Sequence, residues 1–115
     1  MSLIYKILPA AEWRAALAKG VFEGSAIDLA DGYIHFSTAA QAQETARRYF
    51  KDQSGLMLLA VETEGLGEAL KWEPSRGGDL FPHLYATLPP AAVVESRALE
   101  LDADGVPLLG TMKDG

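Results

Sequence analysis

An unbroken apolar run from Leu56 to Val61 is the feature that most limits how this chain can fold. Such a run, without polar alternation, is typical of a strand that is buried on both faces. The chain has 115 residues, of which 49% are hydrophobic, and this is enough to bury one core around that strand. We therefore expect one domain over residues 1–101, followed by a polar, loose tail over residues 102–115.

Hydrophobic spacing divides the rest of the chain into short elements. Apolar segments bounded by proline and glycine predict further strands at residues 3–8, 33–36, 69–73, 80–85 and 92–101. Helical spacing predicts helices at residues 10–19 and 39–50, and Gln41 stands three residues after Thr38, as in a capping box. Residues 21–31 are expected to form an irregular loop. This order predicts an α+β fold, with an antiparallel or mixed sheet and two helices packed against it.

The charge and the absence of cysteine argue against several classes of function. A formal charge of -6 and a pI near 4.8 disfavour nucleic acid as a partner, because its binding depends on clustered Lys and Arg. The small basic group of Arg47, Arg48 and Lys51 is interpreted as the solvated face of a helix, unless the fold turns it toward a cleft. No cysteine is present to form a disulfide, a thiol nucleophile or a Cys-based zinc site. Neither a signal peptide nor a membrane-spanning run is evident, so we expect cytoplasmic localisation and no membrane partner.

The chain has two histidines, and the first lies in the aromatic segment at residues 32–38. His35 and Ser37 are two positions apart on a predicted strand, so both side chains project from one face and can contact one ligand, such as a ribose. The alternative is that His35 is a hydrogen-bonded core residue and Ser37 caps the following helix. A Ser-His hydrolase is disfavoured, because this geometry does not ensure a hydrogen bond between the two side chains.

The second histidine lies in a segment that is dense in functional side chains. Between residues 72 and 85 stand Glu73, Arg76, Asp79, His83 and Tyr85. Arg76 is suited to hold a phosphate or carboxylate, and Glu73 to accept a hydrogen bond or a proton. His83 and Tyr85 share one strand face, beside aromatic surface on which a planar ring can stack. The alternative is a glycine-rich hairpin with a solvated Arg76–Asp79 pair.

Metal and nucleotide motifs are also absent from these segments. The spacing of His35, Glu73, Asp79 and His83 matches no metal-ligand motif, so no dedicated metal site is expected. Gly77-Gly78 is not part of a phosphate-binding glycine pattern.

Several segments together carry the pattern of a known family. They are Ile4-Tyr5, Trp13, residues 32–41, Leu58-Leu59, Trp72-Glu73 and residues 81–85. In these segments the chain resembles a family of small bacterial proteins, the domain of unknown function DUF952, over residues 3–100. The resemblance implies a fold similar to ADP-ribosyltransferases and RNA 2'-phosphotransferases, in which a split antiparallel sheet forms a cleft for NAD or an ADP-ribosylated intermediate.

The same resemblance implies roles for individual residues. His35 and Ser37 would face the nicotinamide ribose, and either His83 or Glu73 would be the polarising residue. The family typically reads Ile-Tyr-His-Ile near its start, whereas this chain has Lys6 in place of the histidine. Lys6 then either replaces that imidazole as a cationic anchor or leaves a protein that only binds.

Two functions follow as hypotheses. The first is a cleft that binds NAD or an ADP-ribose-containing ligand, with ADP-ribosyltransferase-like chemistry at the catalytic candidates His35, Glu73 and His83. The expected ligand-binding residues are Lys6, Ser37, Thr38, Arg76 and Tyr85. The second hypothesis is a non-catalytic module that recognises a small metabolite or a protein through the same cleft. A phosphotransferase acting on RNA is disfavoured by the acidic charge.

Overall fold

The apolar run at residues 56–61 becomes the central strand of the first sheet. The computed structural model describes residues 2–110 and residue 112, without the side chain of Arg76. In it β1 (Leu3–Pro9), β3 (Leu56–Glu62) and β6 (Val93–Ala98) form an antiparallel sheet in the order β1-β3-β6. Leu59 and Val61 of β3 are buried in one hydrophobic core, and Leu58 and Ala60 in another. The prediction of a strand that is buried on both faces is therefore confirmed.

A second antiparallel sheet carries both histidines. Its strands are β2 (Ile34–His35), β5 (Leu80–Leu84) and β4 (Leu70–Pro74), in the order β2-β5-β4. The sheets meet where Tyr5 and Ser37 exchange two backbone hydrogen bonds of 2.7 and 2.9 Å. The fold is therefore mixed α+β with antiparallel sheets, as predicted.

The two predicted helices are present, and the structure adds a third. Helix α1 (Ala10–Lys19) ends at Gly20, which has the left-handed φ of 92° that suits glycine. Helix α3 (Ala39–Tyr49) begins with the predicted capping box, in which Thr38 and Gln41 exchange side-chain and backbone hydrogen bonds.

The prediction of an irregular loop over residues 21–31 is wrong for its second half. Helix α2 (Ala26–Asp31) lies there, and Ser25 and Asp28 form its capping box. The spacing Ser25-x-x-Asp28 is the local signal for this helix, although the acidic residue of such a box is more often Glu. Short 3₁₀ turns complete the chain at Glu64–Ala69, Arg76–Gly78 and Pro90–Ala92.

Residues 102–110 are more ordered than the sequence suggests. The long strand expected at residues 92–101 is interrupted at Leu99, whose backbone N–H donates to the Leu56 carbonyl at 2.9 Å. Strand β7 (Glu100–Leu101) then pairs with β8 (Pro107–Leu108), and Leu109 packs in the second core. Residues 102–110 are thus not a loose tail, because an apolar residue beyond the hairpin is buried against the domain. Among the described residues, no helix is long and apolar enough to cross a membrane.

Two neighbouring leucines test whether this hairpin contributes to stability. Leu109 is 0% exposed and Leu108 is 50% exposed. We expect Leu109→Ala to lower the free energy of unfolding by about 2–5 kcal/mol, because it leaves a cavity in the core. The matched variant Leu108→Ala should change it by less than about 0.5 kcal/mol. Urea unfolding followed by circular dichroism measures both, and equal effects would contradict the packing of the hairpin.

Candidate functional site

A cleft of about 580 Å³ lies where the two sheets meet. Strand β1 contributes Tyr5, Lys6 and Ile7, and helix α3 contributes Ala42, Thr45 and Tyr49. The histidine-bearing sheet and its flanks contribute Tyr33, His35, Phe36, Ser37, Phe81 and His83. The remaining lining residues are Ile27, Asp31, Phe50 and Ser75. Most of these side chains are aromatic or apolar, and a few polar groups lie among them, as is typical of ligand sites.

The two histidines converge in this cleft. Antiparallel pairing of β2 with β5 places His35 directly opposite His83, and their ring centroids are 5.5 Å apart. The ring of Tyr33 packs against both, with centroid distances of 4.6 Å to His35 and 4.2 Å to His83. The histidines and this tyrosine therefore form one aromatic surface, although the two histidines are 48 positions apart in the sequence.

Asp28 orients the first histidine. One carboxylate oxygen lies 2.6 Å from Nδ1 of His35 and also accepts the backbone N–H of that residue at 3.1 Å. The backbone N–H of Ser25 donates to the other oxygen at 2.8 Å. Lys6 Nζ donates to the two oxygens at 3.0 and 2.8 Å. The Asp28 carboxylate therefore joins β1, α2 and β2 at the wall of the cleft.

The ionisation of this cluster follows from burial and hydrogen bonding. Burial raises the pKa of Asp28, but hydrogen bonds from His35 and Lys6 and the Lys6 charge outweigh it and lower the pKa to about 2. Burial lowers the pKa of Lys6, although Asp28 acts in the opposite direction. The two residues therefore form a buried ion pair, in which the carboxylate stays ionised at neutral pH.

Glu73 orients the second histidine. Its Oε1 lies 2.8 Å from Nδ1 of His83 and accepts the hydroxyl of Tyr85 at 2.7 Å. The hydrogen bonds from Tyr85 and His83 lower the pKa of Glu73, and the same bond to Glu73 raises the pKa of Tyr85 to about 12. Glu73 is thus an ionised acceptor, and His83 and Glu73, the two candidates for the polarising residue, are members of one hydrogen-bonded pair.

The other predicted site residues have different surroundings. Ser37 lines the cleft, and its hydroxyl lies 3.1 Å from that of Thr45. Thr38 is used as the cap of α3, and Lys6 lines the cleft with its ammonium paired to Asp28. The side chain of Arg76 lies outside the described part of the structure. Within the described residues, no three His, Asp or Glu side chains are grouped as a metal site.

The sequence did not reveal the role of Asp28, the most connected side chain of the site. Its capping-box spacing with Ser25 was the available signal, and it predicts a helix start rather than a contact with histidine. The partners Lys6 and Asp28 are 22 positions apart, and no local pattern joins them. Asp31, at the end of α2, was also missed, and it lies 3.0 Å from Nε2 of His35.

These features define a mixed α+β domain with two carboxylate-oriented histidines in one cleft. The family described as "Protein of unknown function (DUF952)" matches residues 7–96, and the chain belongs to this family. The resemblance to DUF952 inferred from the sequence is thereby confirmed. No curated protein matches the chain at a significant level.

Solved structures of one bacterial protein share the fold. The crystal structure of protein CC0527 from Caulobacter crescentus is 63% identical, with a TM-score of 0.92, over 94% of this chain and 95% of that chain. Its solution NMR structure is 64% identical, with a TM-score of 0.85, over 96% and 95% of the two chains. These matches show the fold that the two proteins share, and they do not confirm the resemblance to ADP-ribosyltransferases.

The Lys6–Asp28 pair makes a prediction for stability in acid. Because the pKa of Asp28 is about 2 in the folded chain and ordinarily 3.8, its stabilising effect is complete above about pH 4 and is lost as the pH falls toward 2. The free energy of unfolding should therefore decrease by about 2 kcal/mol over this range. Asp28→Asn should not show this decrease in acid. At pH 7 its free energy of unfolding should already be lower than that of the wild-type protein by about 3–5 kcal/mol, because Lys6 loses its counter-charge.

The matched control is Asp31→Asn at the exposed end of the same helix. The Asp31 side chain is 42% exposed and that of Asp28 is 1% exposed, so we expect the control to change stability by less than about 1 kcal/mol. Urea unfolding at pH 7, 4 and 2 gives the comparison. A stable Asp28→Asn variant with the wild-type acid dependence would show that the ion pair does not stabilise the fold.

Proposed function

We propose that the cleft binds NAD or another ligand that contains ADP-ribose, and that the two histidines act at its nicotinamide ribose. The observation that carries this proposal is the pairing of His35 with His83 across β2 and β5, each ring with a carboxylate at its Nδ1 atom. Two oriented imidazoles in one cleft are suited to hold hydroxyl groups and to transfer a proton near neutral pH.

The dimensions of the cleft support a ligand of this kind. Its volume of about 580 Å³ falls within the range of roughly 300–1,000 Å³ that is usual for small molecules and cofactors. Tyr33, Phe36 and Phe81 supply aromatic walls against which a planar ring can pack. The split arrangement of two antiparallel sheets also agrees with the ADP-ribosyltransferase-like fold that the sequence resemblance implies, and we retain that fold as part of the proposal.

His83 and Glu73 are proposed as the proton-transfer pair. In the reaction, the bond between nicotinamide and ribose breaks, and its electron pair leaves with the neutral nicotinamide. A hydroxyl group or water then bonds to the ribosyl carbon and gives its proton to Nε2 of His83. Glu73, at 2.8 Å from Nδ1, orients the ring and stabilises the imidazolium that forms.

His35 and Ser37 are proposed to face the nicotinamide ribose, with Ser37 toward its hydroxyl groups and His35 toward the phosphate that this ribose carries. Both line the cleft, and they are two positions apart, so their side chains are directed to one side of the segment. Asp28 fixes the orientation of the His35 ring at 2.6 Å. Lys6 acts through Asp28 in this scheme, as a structural counter-ion rather than a direct anchor. Arg76 and Tyr85 remain proposed ligand contacts.

The alternative function is a non-catalytic module for a small metabolite or a protein, which uses the same cleft. The two functions share the binding step and differ in turnover. An experiment that measures binding and nicotinamide release separately therefore distinguishes them.

Calorimetric titration with NAD, ADP-ribose and nicotinamide measures binding, and chromatography measures nicotinamide released from NAD. We expect the wild-type protein to bind NAD at millimolar concentration or below and to release nicotinamide. His83→Gln should lower the release rate by about 100-fold, because the proton acceptor is lost. The dissociation constant of ADP-ribose should change by less than about threefold, because the proton is transferred only during the reaction.

Glu95→Gln is the control for Glu73→Gln, because Glu95 is exposed on β6 and lies opposite Ala60 of β3, in the sheet that does not carry the histidines. The release rate should fall in Glu73→Gln and stay at the wild-type value in Glu95→Gln. Absence of binding heat with all three compounds would refute the nucleotide proposal. Binding without nicotinamide release would support the non-catalytic module instead.

A further inference from the structure

His35 has a carboxylate at each of its two ring nitrogens. Asp28 Oδ1 lies 2.6 Å from Nδ1, and Asp31 Oδ2 lies 3.0 Å from Nε2. His83, in contrast, has Glu73 at Nδ1 and lies with its ring edge toward His35. The two histidines therefore differ in what surrounds them, although they face each other across one strand pair.

This geometry determines which form of His35 fits the site. An ionised carboxylate only accepts hydrogen bonds, so both ring nitrogens must carry hydrogen to satisfy both contacts. A ring that donates to both carboxylates is an imidazolium. In that form His35, together with Lys6, balances the negative charges of Asp28 and Asp31.

The two carboxylates of this cluster are held very differently. Asp28 is buried and accepts hydrogen bonds from Ser25, Lys6 and His35. Asp31 is 42% exposed, and within the described residues its carboxylate is hydrogen-bonded to His35. It also stands in the last turn of α2, where the negative end of the helix dipole disfavours an acidic side chain. Another anion can therefore replace Asp31 as the partner of His35 with a smaller loss of free energy than replacement of Asp28 would cause.

We propose that Asp31 is an exchangeable internal anion, and that the ligand of the cleft carries a phosphate group that replaces it at Nε2 of His35. This inference rests on the proposed function, because it names the charge of the ligand that the same cleft would bind. An anionic phosphate oxygen is attracted to the imidazolium and forms a charge-assisted hydrogen bond with it. Asp31 then selects against neutral ligands, because a neutral ligand that displaces the aspartate cannot balance the positive charge of the His35 imidazolium.

The neighbouring groups suit an anion at this position. Burial, followed by the charges of Asp31 and Glu73, raises the pKa of Tyr33, so its hydroxyl keeps its proton and remains a donor. Ser37 supplies a second hydroxyl in the wall of the cleft. Glu73 is engaged by His83 and Tyr85, and Asp28 by Lys6, so the acidic groups around the site are already compensated.

The test is a titration with inorganic pyrophosphate, followed by the NMR signals of the two histidine Hε1 protons. His83→Gln assigns the two signals, because the chain has two histidines. In the wild-type protein we expect pyrophosphate to shift the His35 signal more than the His83 signal. Asp31→Asn should bind pyrophosphate about tenfold more tightly, because it removes a competing negative charge beside the anion. Nicotinamide, which is neutral, should show no such gain.

Asp104→Asn is the matched control, since Asp104 is exposed in the β7–β8 turn and does not line the cleft. Asp104→Asn should not gain affinity for pyrophosphate. The gain seen in Asp31→Asn should also disappear in the double variant Asp31→Asn/His35→Gln. Asp31→Ser provides a second removal of the charge if the asparagine variant does not fold. Unchanged or weaker pyrophosphate binding in a folded Asp31 variant, or a wild-type shift confined to His83, would overturn the inference.

The same samples separate this inference from the proposed function. If NAD is neither bound nor cleaved while Asp31→Asn gains affinity for pyrophosphate, the anion site stands and the NAD proposal fails. If NAD is bound and cleaved while Asp31→Asn does not bind pyrophosphate more tightly than the wild-type protein, the proposed function stands and the role of Asp31 is refuted.

Discussion

The arrangement of the site depends on the buried ion pair between Lys6 and Asp28. Each charge would be costly if it were buried alone, so the ammonium of β1 and the carboxylate of α2 must be kept together. Asp28 also accepts the backbone N–H groups of Ser25 and His35, which start helix α2 and belong to strand β2. A helix of six residues is too short to be stable alone, and this carboxylate attaches it to the sheet. One ion pair therefore fixes a helix, a strand and the orientation of a histidine.

The two histidines show how different surroundings give one side chain two sets of properties. His35 is partly exposed and has acidic groups at both ring nitrogens, and this arrangement favours a ring that donates one hydrogen bond from each nitrogen. His83 is buried and has one acidic partner, which leaves its other nitrogen for proton transfer in the proposed reaction. Acid-base sites often contain two titratable groups that have different roles because their environments differ. The family to which the chain belongs does not itself name the reaction, because a fold can support many activities.

Local patterns in the sequence predicted the helices and strands better than they predicted the contacts of the site. The run at residues 56–61 and the Thr38 capping box depend on neighbours in sequence, and both are present in the structure. The family resemblance implied that His35 and His83 face one cleft, but the pairing of β2 with β5 that places them opposite each other was not predicted by any local pattern. The partners of Asp28 and the burial of Leu109 depend on tertiary packing, and neither residue has a sequence signal that distinguishes it from a surface residue. The ligand roles of the predicted site residues remain predictions.

Strand β3 has a consequence for folding that follows from its place between two cores. Its side chains enter the two hydrophobic clusters alternately, so a shift of one residue in register would exchange the contents of both. Neither cluster is complete without this strand, and its backbone is paired on both sides with β1 and β6. The two halves of the molecule are therefore coupled through this strand, and we expect the amide hydrogens of β3 to exchange with solvent only when both clusters open together.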